Sequence, residues 1–171
     1  MSADIQHARN TRTRAGVGTF GRVLIARLAP GEDVLPSMIQ LLADAGIEQG
    51  VILSGVASLQ HATFRNIHNF PQEWPIRVQD RHRTRIEGPL EILAMQGNVA
   101  PDPDGETFIH CHLDVSLGTP ATVTYGGHLL EDTIVGTTCE IYIAELVDTE
   151  MRRIKDDETH TLEIDVHPRL S

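Results

Sequence analysis

The stretch TFIHCHLDVSL, residues 107–117, alternates without a break over its last ten residues. Ile109, Cys111, Leu113, Val115 and Leu117 fall on one face of a strand, and Phe108, His110, His112, Asp114 and Ser116 on the other. The apolar face belongs in a core, so His110 and His112 point together into a separate, more polar space. Residues two apart on a strand sit roughly 6.6–7 Å apart along one face, which two imidazoles can span to meet one ion. His128 follows Gly126 and Gly127 on a segment that should pair with this strand across the Gly118 to Ala121 connection. Glycines at those positions let backbone approach closely and leave room around the neighbouring histidine.

An H-x-H pair alone also suits proton transfer or ordinary hydrogen bonding, and those roles stay open. The third histidine favours a metal. Three neutral imidazoles would leave a fourth position on Zn²⁺ open, a pattern of catalytic more than structural sites. The cysteines do not complete the set, because Cys111 points the opposite way and Cys139 lies far along the chain. His7, His61, His68, His82, His160 and His167 show no comparable spacing and read as structural or solvated.

Around this strand the chain reads as one helix among many strands. FGRVLIARL (20–28) is strand-like and ends at Pro30-Gly31. EDVLPSMIQLLADAGI (32–47) is helical: Asp33 can cap it, Pro36 falls in the tolerated first turn, and Gly46 stops it. Leu35, Met38, Ile39, Leu42 and Ala45 form its apolar stripe. GVILSGVASL (50–59) is a strand in which Gly55 marks a bulge or close approach, and HATFRNI (61–67) reads as a neighbouring strand. Residues 68–80 read as a loop that Trp74 pins to the body, with a functional role for Trp74 as the lesser alternative. Strands resume near Arg83 and include PLEILAMQGNV (89–99); PDPDG (101–105) is a turn. TVTYGGHLLED (122–132) and TTCEIYIAELV (137–147) follow. The expected fold is a single α+β domain, a mainly antiparallel sheet with one long helix. Its boundaries are a flexible arm over 1–17, a domain over 18–147 and a hairpin or edge strand within 148–171.

Of 171 residues, 40% are hydrophobic and 22% charged, which excludes a disordered chain, and with 4% aromatic the core must be aliphatic. The two cysteines sit in apolar runs and read as reduced thiols, pointing to the cytoplasm. No run approaches about 18 apolar residues and the first residues lack the core of a signal peptide, so membrane and secreted readings are set aside. The net charge is −10, yet 13 of the 14 basic residues are arginine. Arg9, Arg12 and Arg14, and Arg77, Arg81, Arg83 and Arg85, form two groups. Read plainly they are solvated; their chemical alternative is binding an anion, for which the planar guanidinium suits carboxylate or phosphate.

From Gly18 to Val147, the order PGEDVLPSMIQLLADAGIEQGVILSGVASL, PLEILAMQGNV, FIHCHLDVS and YGGHLLEDTIVGTTCEIYIAEL closely resembles the plant and prokaryote conserved domain, the PPC family. The resemblance implies a PPC-like α+β fold assembling as a homotrimer, with zinc in several prokaryotic members. Carried over by motif, the family's H-x-H falls on His110 and His112 and its G-G-H-L on Gly126, Gly127, His128 and Leu129. Its L-E-I/L-L motif falls on Leu90-Glu91-Ile92-Leu93. Glu91 is thereby a candidate buried carboxylate that orients a ligand histidine or acts on a bound substrate. The fold is also similar to that of acetolactate decarboxylase, at the level of fold and metal site.

Two classes of function compete. The resemblance brings a label of DNA binding, inherited from plant relatives that carry an AT-hook, and with it a regulatory, protein-interaction reading. Against tight DNA binding stand the absent Arg-Gly-Arg-Pro core and the −10 charge, about −30 for a trimer. The other class is metal-assisted chemistry as a lyase or hydrolase. Zn²⁺ at His110, His112 and His128 would activate a small anionic substrate, such as an oxo acid, with Glu91 as acid or base and Arg83 or Arg85 holding a carboxylate. A zinc ion that only stabilises a trimer or is scavenged remains a structural alternative.

Overall fold

A computed structural model describes residues 14–119 and 123–168. The arm expected over residues 1–17 falls mostly on residues 1–13, outside the described residues, as do Arg9 and Arg12. The described elements run β1 (Thr19–Leu28), α1 (Val34–Ala45), β2 (Gly50–Ile67), a 3-10 turn (Val78–Asp80), β3 (Arg81–Pro101), β4 (Thr107–Leu117), β5 (Thr124–Leu129), β6 (Ile134–Val147), β7 (Thr149–Lys155) and β8 (Leu162–Pro168). Every pairing is antiparallel. The expectation of a mainly antiparallel domain with one long helix holds.

Six strands form a sheet in the order β1-β6-β2-β3-β4-β5, and β5 also pairs with β2. The end of β2 therefore lies between β3 and β5, and β2-β3-β4-β5 close into a circuit. Closure is possible because β2 and β3 are long, at 18 and 21 residues, and irregular. Register shifts between Ile52 and Ser54, Ala57 and Leu59, and Leu59 and His61 bend β2 while its pairing continues. HATFRNI is consequently the continuation of the same strand, a correction to its reading as a neighbour: no turn residue interrupts it, and a bulged strand bends where a turn would have broken it.

The inward face is aliphatic, as the composition requires. Phe64, Leu90, Val99, Leu113, Val115, Val135, Ile141 and Ile143 are almost fully buried, with Val34, Met38 and Leu42 of α1 packed among them. Both cysteines lie in this core, and burial pushes each thiol up to about 12. Helix α1 ends as expected, with Gly46 in the left-handed region (φ 61°). Its start differs. Asp33 holds the N-cap position without capping through its side chain. Its carboxylate instead accepts from the Asp132 and Thr133 backbone N–H groups, at 2.7 and 3.4 Å, fastening the helix start to the turn before β6.

Strands β7 and β8 pair with each other as a separate two-stranded sheet. It is tied back by Gln49, whose amide donates to the Leu146 and Thr149 carbonyls and accepts from Met151 N–H. Arg153 on β7 is 3% exposed; it donates to the Asn98 carboxamide and lies 5.1 Å over the Phe108 ring, on β3 and β4 respectively. No helix among the described residues is long and apolar enough to cross a membrane.

Candidate metal centre

Strand β4 keeps the two faces its sequence dictates. Ile109, Cys111, Leu113 and Val115 are buried in the core, and His110 and His112 face away from it. His112 stands directly opposite His128 across the β4–β5 ladder. The ring centroids of His110 lie 5.4 Å from those of His112 and 5.1 Å from those of His128, and the other pair is 5.5 Å apart. One ligand atom from each ring can be chosen so that all three lie within 4.8 Å of one another.

The two glycines do what their position before His128 suggests. A Cβ on Gly126 would overlap the Asp114 carboxylate and lie 2.7 Å from the Leu113 carbonyl oxygen, so β5 approaches β4 this closely only without a side chain there. A Cβ on Gly127 would overlap the Asn66 carboxamide, which donates to the Gly126 carbonyl at 2.9 Å.

The histidines' surroundings favour the neutral, ligating form. Burial lowers the pKa of His110, with the Arg153 charge adding to it. Burial, then the Arg65 charge, pushes His128 down to about 4. Arg65, opposite His128 on β2, donates from Nη2 to His128 Nε2 at 3.2 Å, which requires a neutral ring with its lone pair on that nitrogen, the lone pair a metal there would take in place of Arg65. Three clustered imidazoles, neutral near pH 7 for the two half-buried members, are a donor set that suits a divalent transition metal.

The triad opens into a cavity of about 880 Å³. Phe108 and Arg65 line it beside the histidines; Phe70, Trp74 and Ile76 come from the 68–80 loop, Arg81 from the start of β3, and Thr159 to Glu163 from the β7–β8 turn. Trp74 is 45% exposed, so it does not pin the loop by burial but presents its ring to this space. Among the described residues, Glu163 is the sole carboxylate on the wall; its Oε1 accepts from the hydroxyls of Thr161 at 2.5 Å and Thr159 at 3.3 Å.

Glu91 is elsewhere. Leu90 and Ile92 take the core face, leaving Glu91 exposed, opposite Ser58 on β2 and Ser116 on β4. Ser116 is four residues from His112, roughly 13 Å along the strand. The buried carboxylate expected at Glu91 is thus absent from the histidine cavity. Arg83 and Arg85 do not line it either; Arg85 meets Glu87 at 3.0 Å and Asp132 at 3.3 Å. Sequence reading missed Arg65, Glu163 and His160. The one signal for Arg65 was a charge inside the otherwise strand-like run HATFRNI.

The fold has counterparts among solved structures. A plant- and prokaryote-conserved protein from Pyrococcus horikoshii is 25% identical with a TM-score of 0.72, covering 92% of this chain and 100% of that one. A metal-containing protein from Archaeoglobus fulgidus has the same fold at 23% identity and TM-score 0.72, over 88% of this chain and 98% of that one. A protein from Ralstonia eutropha JMP134 to which DNA binding is ascribed is 25% identical with a TM-score of 0.65, over 82% and 88%. Among curated sequences, the bifunctional protein GlmU of Synechococcus sp. strain JA-2-3B'a(2-13) is 31% identical over 143 residues, 83% of this chain. The chain spans about a fifth of the length of that relative. The pattern of the Plants and Prokaryotes Conserved (PCC) domain matches residues 15–147, which hold all four strands of the closed circuit and all three clustered histidines, and the chain belongs to that family.

Proposed function

We propose that this protein is a zinc-binding homotrimer that binds or transforms a small anionic molecule at His110, His112 and His128. The observation that carries this reading is the convergence of three imidazole ligand atoms within 4.8 Å on a cavity that also holds Arg65 and Arg81, neither of which meets a carboxylate among the described residues. A bound zinc would supply Lewis-acid polarisation or an activated water, the chemistry of a metal-dependent lyase or hydrolase. The chain's own residues hold the anion with guanidinium groups, and the loop and hairpin walls restrict water. Glu163 is the carboxylate placed to hold or release a proton.

The trimer is supported by an apolar outer face. Val23 and Ile25 on β1, Val56 on β2 and Leu93 on β3 each expose half or more of their surface. Native mass spectrometry reads both features at once: the expected species is three chains with three zinc ions. A monomer, or a trimer devoid of metal after zinc is supplied, defeats the corresponding half of the proposal.

The DNA-binding reading of the Ralstonia relative does not suit this chain's charge of −10. Fluorescence anisotropy with a duplex at physiological salt is expected to show no sub-micromolar complex, and such a complex would overturn the small-molecule reading in favour of the regulatory one.

A further inference from the structure

The cavity's walls carry more information than its metal ligands. Arg65 and Arg81 sit close together at one end: Ile67, two residues from Arg65, is the ladder partner of Arg81. Burial, then the Arg81 charge, lowers the Arg65 pKa, yet an arginine stays cationic. In a chain with 24 acidic residues, Arg14, Arg22, Arg85 and Arg152 each meet a carboxylate. Two neighbouring guanidiniums without one among the described residues, facing a cavity, form a receptor for an anion whose two oxygens they can share.

The rest of the wall is apolar and uncovered. Phe70 is 74% exposed, Trp74 45% and Leu162 36%, although all three line the cavity with Ile76. Large apolar surfaces held open around a concave site recognise an apolar body. The volume of about 880 Å³ lies near the top of the range for organic ligands, roughly 300–1,000 Å³, and is far more than a short oxo acid fills. At the hairpin, Glu163 places a negative charge that Thr159 and Thr161 hold in position, so a second anionic group is disfavoured there.

We propose that the ligand is an organic monocarboxylate with a flat apolar body, its carboxylate against Arg65 and Arg81 and its body against Phe70, Trp74, Ile76 and Leu162. This names the ligand class for the same site and rests on its reading as a small-anion site, but the recognition uses none of the metal ligands. The hairpin wall lies beyond the family match, which ends at residue 147.

Trp74 is the single tryptophan and lines the cavity, so its fluorescence reports occupancy directly. The full-length protein, metal-free and zinc-loaded, is titrated with 3-phenylpropanoate, propanoate, 3-phenylpropanamide and phenylsuccinate, with calorimetry as a second readout. The expected result is saturable binding of 3-phenylpropanoate, with each of the other three weaker by about tenfold or more. Arg81→Ala and Arg65→Ala should each weaken the carboxylate about tenfold and leave the amide unchanged, with circular dichroism confirming the fold. Equal affinity for acid and amide, or no saturable binding of 3-phenylpropanoate in either metal state, overturns the inference. Saturable binding to metal-free protein or to His112→Ala upholds it even if the zinc reading fails, whereas zinc uptake without acid selectivity defeats it and leaves the zinc reading standing.

Discussion

His112→Ala is expected to abolish stoichiometric metal binding while leaving the metal-free fold nearly unchanged. His112 lies two residues from His110 along β4 and directly opposite His128 on β5. It is also the most exposed of the three, with its side chain outside the core. Losing an outer-shell partner of a metal site typically costs about 10–100-fold in affinity, and losing one of three ligands should exceed the top of that range. Zinc at 100 times its Kd would stabilise the wild type by about 2.7 kcal/mol, which for a chain of this size is roughly 5–10 °C in Tm. The variant should show no such rise, while its metal-free Tm stays within the effect of an ordinary surface substitution, about 0.5 kcal/mol. Metal analysis by mass spectrometry, competition with a chromophoric chelator and parallel melts check this. Unchanged zinc content and an unchanged zinc-dependent Tm shift would show that the triad is not the metal site.

What the sequence made legible follows from how local each signal is. The faces of β4 are written in ten alternating residues, and a strand with one buried face has little freedom of register. His128 could be placed opposite His112 because a short connection joins the two strands, so the ladder is nearly a local structure. The Gly46 helix stop is likewise a single-residue signal with one physical meaning. The cavity is different. Arg65, Arg81, Trp74 and Glu163 come from the end of β2, the start of β3, a loop and the distal turn of a C-terminal hairpin. The β2–β3 ladder sets Arg65 beside Arg81, but both reach the histidines only because β5 returns to pair with β2, and no period or motif encodes that closure. A lone tryptophan and a carboxylate within a motif carry no such local signal of position: Trp74 lines the cavity and Glu91 lies outside it. Asp33 failed as a side-chain cap because two backbone N–H groups from a segment about 100 residues away offer its carboxylate better partners. That competition cannot be seen from the helix alone.

Close approach of strand backbones makes Gly97 sensitive to a side chain in a way that Gly55 is not. Gly97 on β3 lies between Ile52 of β2 and Cys111 of β4. A Cβ there would overlap the His110 carbonyl oxygen and lie 2.8 Å from the Cys111 Cα, both backbone atoms of the strand that carries the metal ligands. Backbone cannot rotate away as a side chain can, so Gly97→Ala must separate β3 from β4 at His110. Gly55 is the natural control. Its added Cβ would meet the Met95 Sδ at 2.6 Å, but a methionine side chain has rotamers with which to yield. Overpacking in a well-filled interior costs about 1–3 kcal/mol, and a clash between fixed strands belongs at or above the upper end. Gly97→Ala is therefore expected to lower Tm by about 6–12 °C and, by shifting His110, to weaken zinc binding in the fraction that still folds. Gly55→Ala should lose no more than about 1 kcal/mol and retain wild-type zinc affinity. Urea denaturation of both variants without metal, followed by chelator competition, separates the two effects. If Gly97→Ala matches Gly55→Ala in stability and in zinc affinity, the close β3–β4 approach is not what holds His110 in place.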